Sequence, residues 1–173
     1  MDRLYAASGG LAALCLASIA VVMLAQAGMR ELGMLLRGAD DIVAWLCAAT
    51  AFLALGHTFR RGELVRIGLL VDHLPPRARR PLALSALAVA VLFAGYMVYA
   101  VVRFVYESWK FSEVAQGLIQ IPIWIPQLSF ALGAAILFVA VLDELVVLAR
   151  GGKPAYEVAE EERRARKDFS ETL

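Results

Sequence analysis

Charge is the first scarcity in this sequence. Aspartate, glutamate, lysine and arginine make up 19% of the 173 residues, below the roughly 25% of an ordinary soluble domain. The charges nearly cancel, leaving a formal net charge of +1, so the basic surface of a nucleic-acid binder is absent. Cysteine is rarer: Cys15 and Cys47 both sit inside apolar runs, with no C-x-x-C and no zinc spacing. They read as small buried apolar side chains, since a quinone-linked redox pair needs thiols at a membrane surface. The two histidines, His57 and His73, do not suit a bis-histidine haem site, because His73 falls in a loop. No glycine-rich phosphate loop, metal-ligand cluster or nucleophile motif occurs. The expectation is a protein that is not an enzyme and holds no cofactor.

Apolar residues, by contrast, reach 61%, with a mean hydropathy of +0.68. A soluble globule of this length cannot hide so much apolar surface; much of the solvent must be lipid. Four runs approach the ~20 apolar residues that a spanning helix needs. Leu4 to Met29 is 26 residues without a charge, and Ile42 to Phe59 is 18. Pro81 to Val102 is 22, and Pro126 to Leu142 is 17, extended by 145–149 beyond Asp143 and Glu144. Backbone polar groups in lipid must be satisfied within the segment, which makes each run a helix. The expected architecture is an all-α membrane protein with spans at about 4–29, 42–59, 81–106 and 126–149. Residues 1–150 form the membrane domain and 151–173 a charged tail. The first run is far longer than the 7–15 apolar residues of a signal peptide, so it reads as a retained helix.

Basic residues set the orientation. Arg3, the 60–80 loop and the tail together carry 13 lysines and arginines, against four on the opposite side (Arg30, Arg37, Arg103 and Lys110). Both termini are therefore expected in the cytoplasm. Trp45, Trp109 and Trp124 fall near the outer helix ends, where indoles sit at headgroup level.

The cytoplasmic loop reads RRGELVRIGLLVDHLPPRARR. Leu64, Ile67, Val71 and Leu74 share one helical face, and Pro75-Pro76 ends any helix there. A short amphipathic helix at the lipid interface is expected, with Arg60, Arg61 and Arg66 toward anionic headgroups. A plain basic segment that enforces topology is the alternative. In the second outer loop, Arg103 and Glu107 are spaced to pair, which keeps a charge near the interface. Pro122 and Pro126 bracket Trp124 ahead of Gln127, a rigid lead-in to the last span or a docking surface. Asp143 and Arg150, seven apart, are placed for a snorkelling pair or a subunit contact. Gly9, Ala13 and Ala17, and Ala86, Ala90 and Ala94, repeat at four-residue spacing, a pattern that permits close helix packing. The tail holds Glu160–Arg164 and Glu162–Arg166 in the favoured helical order.

Taken together, two stretches resemble one family. The loop has the form G-x-x-x-R-R-G-x-x-V-R on Gly56, Arg60, Arg61, Gly62, Val65 and Arg66. The lead-in I-P-x-W-I-P-Q lies on Ile121, Pro122, Trp124, Ile125, Pro126 and Gln127. With four spans in this order, the chain resembles the small, DctQ-like membrane subunit of tripartite ATP-independent periplasmic (TRAP) transporters. It departs where family members often carry histidine and aspartate in the loop, having Glu63 and Gly68. The resemblance implies a partner large membrane subunit of many spans, a periplasmic substrate-binding protein, and sodium-driven uptake of organic acids bearing a carboxylate across the inner membrane. It implies a scaffold role here, in keeping with spans that lack the midplane polar groups and broken helices of a transport core. Other classes remain open on the residues alone: a self-sufficient four-helix transporter acting as a dimer, or a quinone- or haem-linked membrane enzyme.

Overall fold

A computed structural model describes residues 2–60 and 76–152. It contains four helices: α1 (Asp2–Glu31), α2 (Ala39–Arg60), α3 (Pro76–Lys110) and α4 (Trp124–Ala149). All four are long and apolar enough to cross a membrane, and no strand forms among the described residues. The protein is thus an all-α four-helix membrane protein. The expected interfacial segment (Arg61, Leu64, Arg66, Ile67, Val71), together with His73 and the charged tail, lies outside the described residues.

The helix ends follow from local chemistry. After α1, Gly33 takes a φ of +72°; its N–H bonds to the Arg30 carbonyl at 3.0 Å and that of Met34 to Met29 at 2.9 Å. This left-handed cap satisfies carbonyls that the helix end orphans. Gly151 repeats the pattern after α4, with Gly152 N–H on the Val147 carbonyl at 3.0 Å. After α3 the same turn is made by a serine, Ser112 at φ 51°, and Glu113 N–H reaches the Ser108 carbonyl at 3.0 Å. Ser108 Oγ then donates to Glu113 Oε2 at 2.8 Å. Asp40 and Asp41 in the first turn of α2 complement its positive dipole end.

The helices pack in the order α1–α2–α4–α3. Each pair is defined by contacts that also give direction. His57 at the end of α2 meets Tyr5 at the start of α1, so those two run antiparallel. Phe52 meets Phe130 and Gly133, and Gly56 meets Ile136, so α2 and α4 run parallel. Gly95 meets Phe138 and Arg80 reaches the Leu148 carbonyl, so α3 and α4 run antiparallel. Both described connections, 32–38 and 111–123, therefore lie at one end of the molecule, termed the loop end. The starts of α1 and α3 and the ends of α2 and α4 lie at the other. Because α1 and α3 do not pack on each other to a comparable degree, the bundle is an open row rather than a closed four-helix barrel.

The row is held through α2 and α4. Their backbones come together at Gly133, where an added Cβ would stand 2.5 Å from the carbonyl carbon and oxygen of Phe52. Such approach, with van der Waals contact, drives helix association where lipid removes the hydrophobic incentive. The Phe52 and Phe130 rings lie 4.2 Å apart beside it. Leu53, Ile136, Ala140, Val141 and Leu148 continue the core, joined by Tyr5 and Ala12 from α1 and Leu87 from α3.

The four-residue stripe of small side chains serves this packing only in part. Ala94 is buried and Gly9 lies against the His57 ring, but Ala13, Ala17 and Ala86 are exposed. A four-residue step advances about 400° around a helix with 3.6 residues per turn, so the stripe winds off the contact face. The buried side of α1 instead alternates steps of three and four through Tyr5, Ser8, Ala12 and half-buried Cys15.

Gly133→Leu is expected to force α2 and α4 apart. Overpacking of this kind costs about 1–3 kcal/mol, read as a lowered unfolding temperature of the purified protein in detergent. An unchanged transition would show that the two backbones need not touch.

Candidate functional site

The loop end gathers the largest set of built polar contacts. Its centre is Asp41, in the first turn of α2. The Asp41 Oδ2 accepts hydrogen bonds from the backbone N–H groups of Leu118 at 2.7 Å and Ile119 at 3.2 Å. These amides belong to the connection between α3 and α4, far away in sequence. Gly117 makes the approach possible, because any Cβ there would run into the Asp41 carboxylate. Gly38 is equally close on the other side, with the Ile119 side chain where its Cβ would be. Asp40 turns the opposite way: its Oδ1 accepts from Gln26 Nε2 of α1 at 3.1 Å. Two adjacent carboxylates thus tie α1, α2 and the 111–123 connection together.

That connection is itself ordered by backbone bonds. Ala115 N–H donates to the Ile121 carbonyl at 2.9 Å, and Ile123 N–H to the Glu113 carbonyl at 3.0 Å. Val114 and Pro122 face each other between them as an antiparallel bridge. The bonds come from residues on either side of the facing pair, so the missing N–H of Pro122 removes nothing. Trp124 then opens α4. Pro126, third residue of the helix, sits in the first turn, where its absent N–H is one of those no helix can use. Ser129 Oγ donates to the Pro126 carbonyl at 2.7 Å.

Gln127 is the buried polar residue of this lead-in. It is 8% exposed, and its Oε1 has no hydrogen-bond partner among the described residues. It lines an apolar cavity of about 90 Å³ with Val101, Phe104 and Phe130. Trp124 is half-buried, while Pro122 is exposed.

The remaining sequence-selected residues lie elsewhere. Arg103 Nε donates to Glu107 Oε1 at 2.9 Å on the outer side of α3. Asp143 is half-buried and Glu144 buried, near the far end of α4, with Arg150 exposed at its cap. About 28 Å of helix separates Asp143 from Trp124. Arg60 closes α2, its side chain outside the described residues. Nothing in the pattern of residues pointed to Asp41, Gly38 or Gly117. Their signal was present in Asp40-Asp41 at a helix start, but the partner amides become neighbours only when α2 and α4 pack. His57, near the end of α2, is also engaged by the packing. Its Nδ1 lies 3.0 Å from the Tyr5 carbonyl; a carbonyl only accepts, so Nδ1 carries the proton and stitches α2 to α1.

Chemically, these hydrogen bonds hold a surface in shape. Among the described residues no three potential metal-ligating side chains come together. Exposed Leu32, Leu35, Phe111 and Leu118 surround the clamp.

Replacing Asp41 by Ala removes both loop bonds, each to a charged acceptor. A loss of about 1.5 kcal/mol is expected, with faster hydrogen exchange at the Leu118 and Ile119 amides. Protection equal to wild type at those amides would remove the clamp.

The comparisons with known proteins agree with this architecture. No curated protein matches the chain. The family model described as tripartite ATP-independent periplasmic transporters, DctQ component, matches residues 19–151, from the middle of α1 to just past α4. By that match, across four spanning helices, the chain belongs to the DctQ family, the small membrane component of TRAP transporters.

Proposed function

We propose that the chain is the static, non-catalytic subunit of a sodium-driven carboxylate importer, bracing the large membrane subunit while that subunit moves substrate. It works in the bacterial inner membrane with both termini in the cytoplasm and the loop end facing the periplasm. The observation that carries this reading is the open α1–α2–α4–α3 row of continuous helices. A transport core is built from broken helices and internal repeats around midplane polar groups. Here the described spans are unbroken, and two edge helices stay free to meet another protein. The distribution of 13 basic residues against four supports the orientation. Belonging to this family implies association with the large membrane subunit and a binding protein. The clamped loop end then forms one fixed part of the surface over which a binding protein delivers substrate.

The segment joining α2 to α3 lies as an amphipathic stretch on the inner leaflet, with Leu64, Ile67 and Val71 in the acyl boundary and Arg60, Arg61 and Arg66 among headgroups. Pro122, Trp124, Pro126 and Gln127 hold the outer end of α4 at the opposite interface.

Reconstituted alone in liposomes under a sodium gradient, the chain is expected to take up no labelled organic acid. Together with the large subunit and binding protein it is expected to support uptake. Transport by the chain alone would establish the self-sufficient reading and overturn this one. Changing Leu64, Ile67 and Val71 together to Asp is expected to reduce the amount of chain recovered in the membrane complex severalfold. Wild-type recovery would dismiss the amphipathic role.

A further inference from the structure

The two edge helices of the row differ in what they present outward. Along the middle of α1, from Leu11 to Val21, the exposed side chains are aliphatic or small, including Leu11, Leu14, Leu16 and Val21. The one hydroxyl in its middle, Ser18, donates to the Leu14 carbonyl of its own helix at 2.9 Å. This surface asks nothing of its surroundings and suits lipid tails.

Helix α3 is different. Tyr96, Tyr99, Arg103 and Glu107 follow one another at steps of three and four along one outward face. Tyr96 is 71% exposed and Tyr99 61%. Arg103 pairs with Glu107 at 2.9 Å. Tyr96 has no hydrogen-bond partner among the described residues.

Depth makes this stripe costly in lipid. Tyr96 is about 24 Å along the helix from Arg80 and about 21 Å from Lys110, which puts it near the middle of the span. Arg103 is about 10 Å from Tyr96 along the axis, inside a hydrocarbon half-thickness of ~15 Å. Aromatic belts sit at headgroup level, which accounts for Trp109 but not for a phenol at mid-depth. A phospholipid headgroup drawn to Arg103 finds its charge already met by Glu107, and it does not reach Tyr96. Ionised groups within spans as a rule face protein or a water-filled cavity, and aromatic residues and arginine are enriched at the centres of protein interfaces.

We propose that the Tyr96–Glu107 face of α3 is the edge that docks the large membrane subunit of the transporter, with Tyr96 hydrogen-bonding to a polar group on a spanning helix of that partner. The large subunit is the occupant because this is a membrane-depth surface and the family supplies one membrane partner; the inference therefore rests on the subunit role proposed above. The partner helix offers Tyr96 an acceptor or donor near the midplane and packs over the neutral Arg103–Glu107 pair, closing it off from lipid.

The test uses the full chain co-expressed with its large subunit. A photo-reactive phenylalanine analogue is placed at Leu92, beside Tyr96 on the same face, and separately at Ala13 on the outward side of α1. Cross-linking from position 92 to the large subunit, with lipid adducts from position 13, is the expected result. Cross-links to the large subunit from position 13 alone, or lipid adducts alone from position 92, would overturn the proposal while co-purification of the wild-type pair still upheld the subunit role. If the wild-type chain failed to co-purify with the large subunit, both would fall. Tyr96→Phe removes only the hydroxyl and is expected to weaken association about three-fold without changing the unfolding temperature of the isolated chain. Association equal to wild type would remove the hydroxyl contact.

Discussion

Gly133 lets the backbone of α4 lie against the Phe52 carbonyl of α2, and the rest of the molecule depends on that approach. In lipid the hydrophobic effect does not pull helices together; contact distance decides which helices associate. With α2 and α4 joined in parallel, the chain between them must cross the bilayer once, back to the end where α2 began. It does so as α3, which returns antiparallel on the far side of α4, while α1 lies antiparallel on the far side of α2. The open row follows from this one parallel contact.

The same contact builds the loop end. Asp41 is near Leu118 and Ile119 only because α2 and α4 begin at the same level. A carboxylate at the dipole-positive start of a helix is favoured on its own account; here it also satisfies two loop amides. Neighbouring Asp40 faces α1, so a single turn of α2 controls both connections. The two carboxylates thereby hold α1, α2 and the 111–123 connection to one another.

Arg103 and Glu107 neutralise each other on an outward face, and the buried Glu144 lies near the far end of α4. The interior is aliphatic and aromatic, and His57 is spent on a backbone carbonyl. Membership of a family of transporter components places that structure within an assembly.

Sequence alone determined that there are four spanning helices and roughly where they lie, because a run of apolar residues in lipid has one way to satisfy its backbone. It also carried the family, through Gly56 to Arg66 and Ile121 to Gln127, and it marked the pairing of Arg103 with Glu107 through their spacing on one helix. All of these are local properties. Which helices touch was not local. The four-residue stripe through Ala13 and Ala17 does not mark the face on which α1 meets α2, since contact faces depend on where a neighbouring backbone arrives. Asp41 carried no visible purpose until residues 77 positions away in the chain met it. Tertiary structure alone decided that α1 and α3 are edges, because the place where a neighbouring backbone arrives, and not the apolar composition of a helix, selects which helices pack on two sides.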